Sequence, residues 1–260
     1  MNWWQAIVLG LVQGLTEFLP VSSSGHLVLA ERLAGVTTPG VFVEVALHVA
    51  TLGSVFVVYG RRIVELGQGL LTGDAGHRAY VWLLVIATIP AGLVGVLFGG
   101  VIERAFDSLV AVGFAFLLTG TILWLTRRAG GQREAPSTTG ALGIGLMQAI
   151  AILPGVSRSG STVAAGMWSG LGPQRAAEFS FLMAVPTIAG AAALEVREAV
   201  ALTGTVGAGP LLAACVAAFV SGIWAIRFLV ALLRRGRFHA FAPYCWVLGV
   251  LTLGVAWRLR

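Results

Sequence analysis

The chain has 260 residues, of which 57% are hydrophobic and only 11% charged. Uncharged runs of about 20 residues concentrate the apolar content, which excludes an ordinary soluble domain and sets the class as an all-α polytopic membrane protein. The formal net charge is +6 and every basic residue is arginine, yet the arginines fall between apolar runs rather than on one basic surface, so no nucleic-acid partner is expected.

The N-terminal segment, Asn2 to Leu33, is apolar but interrupted near its middle by Pro20 and by Ser22, Ser23 and Ser24. It lacks the basic start of a signal peptide and carries Gln13 and Glu17, so it is expected to be retained. Pro, Ser and Gly in the middle of such a run predict a helix, a break and a second helix. Three spans follow, at Val41 to Tyr59, Ala79 to Val101 and Ser108 to Thr126. Gln132 to Thr139 reads as a polar linker. A second broken segment, Ala141 to Gly170, precedes three more spans, at Ala176 to Leu194, Pro210 to Leu233 and Ala240 to Trp257. Irregular backbone at membrane depth is tolerated only where protein or a water-filled cavity covers it, so the two broken segments are expected to be re-entrant hairpins lining a polar pocket.

Arginines mark one side of this arrangement. Arg61, Arg62 and Arg78, then Arg127, Arg128 and Arg133, then Arg234, Arg235 and Arg237 occupy three alternate connections, which the positive-inside rule assigns to the cytoplasm. The other connections mix signs, with Glu103, Arg104 and Asp107 in one and Glu195, Arg197 and Glu198 in the next, which places both termini outside. Cys215 and Cys245 lie in apolar spans without metal or redox spacing and read as small buried hydrophobes. The 35 glycines suit close helix packing, either within one protomer or between two in a homodimer.

The two broken segments are related. A shift of 135 residues places Gly10 on Gly145, Leu11 on Leu146, Gln13 on Gln148, Val21 on Val156, Ser22 on Ser157, Ser24 on Ser159, Gly25 on Gly160 and Gly35 on Gly170. Residues 1–260 thus read as one membrane domain in two halves, 1–130 and 140–260, each a re-entrant segment (2–33 and 141–170) followed by three spans. An odd number of spans per half inverts the second half relative to the first. Inverted repeats with broken helices form binding sites near the membrane midplane.

The chemistry-bearing residues collect at the breaks. In GLVQGLTEFLPVSSSGH, Gln13 and Glu17 are four residues apart and share a helical face, with Ser23 and His26 beyond Pro20. In LPGVSRSGST, Arg158 stands between Ser157 and Ser159, with Thr162 in the helix that follows. Arginine forms forked hydrogen bonds to phosphate, and a helix N-terminus offers free N–H groups and a favourable dipole, so each break is a candidate phosphate cradle. Plainer readings stand beside this one. Glu17 and Arg158 could form a structural salt bridge, His26 could cap backbone, and the serines could satisfy backbone groups freed by Pro20. Glu44, His48 and Glu178 either orient the pocket or pair at the interface.

The first segment resembles the (E/Q)xxxE region and the PVSSxGH stretch of the bacterial undecaprenyl-pyrophosphate phosphatases, and PGVSRSGST matches that family's PGxSRSxxT signature. The resemblance runs over nearly the whole chain. It implies hydrolysis of undecaprenyl pyrophosphate to undecaprenyl phosphate and inorganic phosphate, recycling of the carrier lipid for peptidoglycan, and bacitracin resistance. It implies a bacterial inner-membrane location with the pocket open to the periplasmic or outer side. Carried over by position, Glu17, His26, Ser23 and Arg158 are expected to be catalytic, and Gln13, Ser157, Ser159, Thr162 and Arg158 to bind substrate. Glu17 is expected to ligate Mg²⁺ or Ca²⁺. Gln13 stands where many members have a second glutamate, which leaves more of the work to Glu17 and the substrate's own phosphates; magnesium commonly uses one or two carboxylates plus phosphate oxygens, so a single glutamate does not exclude it. The nucleophile is either water oriented by Glu17 and His26 or Ser23 activated by the imidazole. A lipid-carrier flippase or transporter is the other function that inverted repeats suit.

Overall fold

The computed structural model describes residues 1–34, 42–201 and 207–258. Ten α-helices, and no strand, lie among these residues: α1 (Trp3–Phe18), α2 (Ser23–Ala34), α3 (Phe42–Thr72), α4 (Ala75–Phe106), α5 (Leu109–Leu125), α6 (Thr138–Ile150), α7 (Arg158–Trp168), α8 (Pro173–Ala201), α9 (Ala208–Arg234) and α10 (Ala242–Arg258). Six of them, α3, α4, α5, α8, α9 and α10, are long and apolar enough to cross a bilayer. Their outer faces carry large exposed apolar side chains such as Trp82, Leu97, Phe114 and Val250, as lipid contact requires. Gly35, and the side chains of Glu195, Arg197 and Glu198, lie outside what is described.

Each broken segment is two short helices around a break. At α1 the Asn2 side chain accepts from the Gln5 N–H while the Gln5 side chain accepts from the Asn2 N–H, a capping box that fixes the start. Pro20 follows the end, and Ser22 then adopts φ 68°, a left-handed conformation that costs a residue with a Cβ roughly 1 kcal/mol or more. That turn lets α2 fold back on α1. In the second segment the positive φ falls two positions earlier in the repeat, on Gly155 at 97°, which has no Cβ to strain, while Ser157 has φ −73°.

The long helices extend further than their apolar cores. α3 has 31 residues, about 46 Å at the α-helical rise, so it projects past a hydrocarbon core of about 30 Å. Arg61 and Arg62 therefore stand on a helical extension and not in a loop, a correction to the expectation from sequence. The connection to α4 is only Gly73 and Asp74. Asp74 caps α4, and the backbone N–H of His77 holds its carboxylate below the usual range. Arg62 reaches Glu178 of α8 at 3.1 Å, and Arg175 meets the same carboxylate at 3.1 Å. Glu178 thus pairs with these two cations, clamping α3 to α8.

Packing partners exchange between the halves. α1 lies along α9 while its counterpart α6 lies along α4; α3 touches α9 while α8 touches α4; α3 meets α8, and α5 meets α10. The closest approaches are made by glycines. A Cβ on Gly10 would lie 2.2 Å from the Ala214 carbonyl oxygen, and one on Gly145 would lie 2.6 Å from that of Ala87. Gly113 of α5 and Gly249 of α10 face each other in the same way. The core includes Phe18 edge-on to Phe181 at 5.4 Å, which seats the C-terminal end of α1, and with it Glu17, against α8.

Candidate active site

Glu17 sits in the last turn of α1, 6% exposed, where its carboxylate collects partners from four elements. Gln13, one turn earlier, donates from Nε2 to Oε2 at 2.9 Å. Ser23, the first residue of α2, donates its hydroxyl to the same oxygen at 2.7 Å. Arg158, the first residue of α7, donates from Nη2 to Oε1. The Nε2 of His48, on α3, lies 3.5 Å from Oε2. The two breaks thus contribute to one centre, with the acid and hydroxyl from the first and the guanidinium from the second.

The breaks are also stitched to each other. The Gly155 N–H donates to Ser22 Oγ at 3.1 Å, and Ser159 Oγ donates to the Leu19 carbonyl at 3.0 Å. Thr119 of α5 accepts from the Ser157 N–H and donates to the Gly155 carbonyl. This staple has no signal in sequence, because Thr119 is one of two threonines, with Thr121, in an apolar helix and nothing there separates them.

Several side chains expected at the site are engaged elsewhere. Ser157 Oγ caps α7 by accepting from the Gly160 N–H at 3.0 Å. Thr162 Oγ1 hydrogen-bonds the Arg158 carbonyl and Ser180 Oγ. His26 Nδ1 is 2.7 Å from the Ser22 carbonyl, which can only accept, so Nδ1 carries the hydrogen. Its Nε2 then accepts from the Tyr244 hydroxyl at 2.7 Å, with the two rings nearly parallel. Neither nitrogen of His26 is bonded to Ser23. The group on the Ser23 hydroxyl is Glu17. Tyr244, in the first turn of α10, belongs to no motif.

Two polar atoms at this centre have no partner. Arg158 Nη1 is a buried donor and Gln13 Oε1 a buried acceptor, each without a hydrogen bond. The amide cannot be turned without setting its oxygen against Glu17 Oε2, so the unfilled acceptor is real. An unfilled guanidinium donor suits a phosphate oxygen. A carboxylate beside an unfilled amide oxygen suits a hard divalent cation such as Mg²⁺ or Ca²⁺. Among the described residues no cluster of three His, Cys, Asp or Glu exists, so any such ion relies on phosphate oxygens and water as well. An open cleft of about 480 Å³ beside the linker, lined by residues such as Arg133, Ser137, Met147 and Trp168, contains none of these groups.

Known proteins resemble this chain from end to end. It is 39% identical to an undecaprenyl-diphosphatase of Desulforapulum autotrophicum, over 97% of this chain and 98% of the relative. Proteins of the same name from Desulfosudis oleivorans, at 41%, and Bacteroides fragilis, at 40%, are each covered to 98% or more, as is this chain. The family model described as bacitracin resistance protein BacA matches residues 6–251, and with the paired breaks meeting at Glu17 and Arg158 this chain belongs to that family.

Proposed function

We propose that this membrane protein is an undecaprenyl-diphosphatase, hydrolysing undecaprenyl pyrophosphate to undecaprenyl phosphate and inorganic phosphate and so returning the carrier lipid to envelope synthesis. The observation that carries this reading is the Glu17 carboxylate holding both the Ser23 hydroxyl and the Arg158 guanidinium, with Arg158 Nη1 left unfilled. A hydroxyl on a carboxylate next to an anion clamp is a nucleophile, a base and a phosphate anchor in one place.

In the resting site Arg158 occupies one oxygen of Glu17. Arriving pyrophosphate supplies better acceptors for the guanidinium fork, so Arg158 turns towards phosphate and frees Oε1 of Glu17 for the Ser23 hydroxyl. Ser23 Oγ then attacks the terminal phosphorus while its proton passes to Glu17. The bond from that phosphorus to the bridging oxygen breaks, that oxygen takes the proton from Glu17, and undecaprenyl phosphate leaves. Water, deprotonated by Glu17, then attacks the phosphoryl group; the bond to Ser23 Oγ breaks, the serine takes the proton back from Glu17, and inorganic phosphate is released. Glu17 and the Gln13 carbonyl oxygen would hold a divalent cation, Mg²⁺ or Ca²⁺, which would neutralise phosphoryl charge. Ser157, Ser159 and Thr162 hold the shape of the α7 N-terminus, whose backbone N–H groups face the anion. His26, locked by Ser22 and Tyr244, holds α2 in register so that Ser23 meets Glu17.

The prenyl chain leaves the site between spans into the bilayer, which is why a hydrolase for a charged headgroup is built on an apolar scaffold. The two helix pairs are re-entrant, the halves are inverted, and the site opens on the periplasmic or outer side, where the headgroup to be recycled is exposed. The arginine-bearing ends support that orientation. A flippase reading gains no support from relatives named as diphosphatases.

The test is the product spectrum of the detergent-purified chain given undecaprenyl pyrophosphate. Undecaprenyl phosphate and inorganic phosphate in equal amounts support the proposal. An unchanged lipid overturns it and directs attention to transport.

A further inference from the structure

His48 is the one partner of Glu17 not yet given a role. Its Nδ1 lies 2.8 Å from the backbone carbonyl of Glu44, one turn earlier on α3. A carbonyl accepts only, so Nδ1 carries the hydrogen and Nε2 of the neutral ring presents a lone pair. That lone pair lies 3.5 Å from Oε2 of Glu17, itself an acceptor. Two acceptors so placed repel unless a proton on Nε2, which makes the contact a salt bridge, or a metal cation lies between them. One ring nitrogen donating to a backbone carbonyl while the other is free is the arrangement that orients metal-ligating histidines.

The spacing suits a shared ion. Two ligands each about 2.1 Å from one cation stand about 3.0 Å apart at a right angle and about 3.4 Å apart at a tetrahedral angle. The third donor is the buried, unpartnered Gln13 Oε1, on the amide whose nitrogen already touches Glu17 Oε2. Oε2 also accepts from Ser23; when an ion enters, that hydrogen bond moves to Oε1, the oxygen that Arg158 leaves for phosphate, so Ser23 keeps Glu17 as its base.

We propose that His48 is a cation ligand of this site, so that the chain holds its divalent ion with one imidazole nitrogen, one carboxylate oxygen and one amide oxygen. This deepens the phosphatase reading of the same centre. It also explains how the site manages with glutamine at position 13: the imidazole replaces a donor lost with the second carboxylate. A nitrogen ligand shifts preference from Ca²⁺, which favours oxygen alone, towards first-row transition ions, of which Mn²⁺ is the paramagnetic member nearest to Mg²⁺ in its affinity for oxygen ligands.

The experiment uses Mn²⁺ itself as the probe, bound to the full-length protein in detergent and observed by pulsed electron paramagnetic resonance. Wild type is expected to retain Mn²⁺ with an imidazole nitrogen coupling that changes isotope signature when histidine is ¹⁵N-labelled. His48→Gln is expected to lose that coupling and to bind Mn²⁺ at least tenfold more weakly. His26→Gln is expected to keep it, which preserves the test if His48→Gln does not fold. Bound Mn²⁺ without nitrogen coupling, coupling that survives His48→Gln or vanishes in His26→Gln, or no retained Mn²⁺, each overturns the inference. Phosphate release with Mg²⁺ is measured on the same preparation. Release without nitrogen coupling overturns the His48 role and leaves the phosphatase standing; coupling without release does the reverse.

Discussion

Arg158 donates to the Glu17 carboxylate across 141 positions of sequence, joining the N-terminus of α7 to the C-terminal turn of α1. Both side chains are largely buried, at 15% and 5% exposed. Removing one partner leaves an uncompensated charge at a cost of about 3 kcal/mol or more, whereas removing both leaves none. Glu17→Gln and Arg158→Gln are each expected to lower the unfolding temperature in detergent, and the double variant to lose less than the sum. Additive losses in that cycle would show that the pair is not coupled.

The Ser23 hydroxyl, 2.7 Å from Glu17, is the proposed nucleophile. Ser23→Ala is expected to reduce kcat by about 10³-fold or more with little change in KM, as removal of a covalent nucleophile does. A loss of only about tenfold, measured as phosphate release, would assign the attack to water.

Glycines at the helix crossings separate close packing from conformational freedom. Gly10→Ala and Gly145→Ala drive a Cβ into a facing backbone carbonyl, and each is expected to destabilise by about 1–3 kcal/mol. Gly143, in α6 like Gly145, has open space around it, and Gly143→Ala is expected to be neutral or stabilising by up to about 1 kcal/mol. Thermal denaturation of the three variants in one detergent checks the contrast.

Much of the fold was legible because a bilayer imposes its dimensions on sequence. Runs such as Ser108 to Thr126 locate α5 within one or two residues of its structural bounds. The breaks were legible from Pro20 and Pro154 with their serines, and the pairing of the breaks from the 135-residue repeat. Two kinds of information were not. Helices continued past their apolar cores, so Arg61 and Arg62 read as a loop although nothing there stops a helix. The partners that hold the site, Thr119 and Tyr244, each act from another helix at large sequence separation. The salt bridge offered as the plainer reading of Glu17 and Arg158 is present, yet Arg158 Nη1 remains unfilled, so the pair does not exhaust the guanidinium.

Orientation is open to a direct check. In a chain with Cys215 and Cys245 replaced by Ala, a membrane-impermeant maleimide is expected to label Asp107→Cys in cells with a permeabilised outer barrier. Arg128→Cys is expected to react only after the inner membrane is broken. The opposite pattern would reverse the proposed topology and turn the site towards the cytoplasm.

The most direct measurement is phosphate release from undecaprenyl pyrophosphate by the purified wild type, with and without EDTA, beside folded Glu17→Gln and Arg158→Lys variants. Arg158→Lys keeps the charge but loses the fork that reaches carboxylate and phosphate together. The account predicts release that EDTA abolishes and that each substitution lowers by about 100-fold or more. No release by wild type, or release that survives both substitutions, would contradict a single phosphatase centre built from the two breaks.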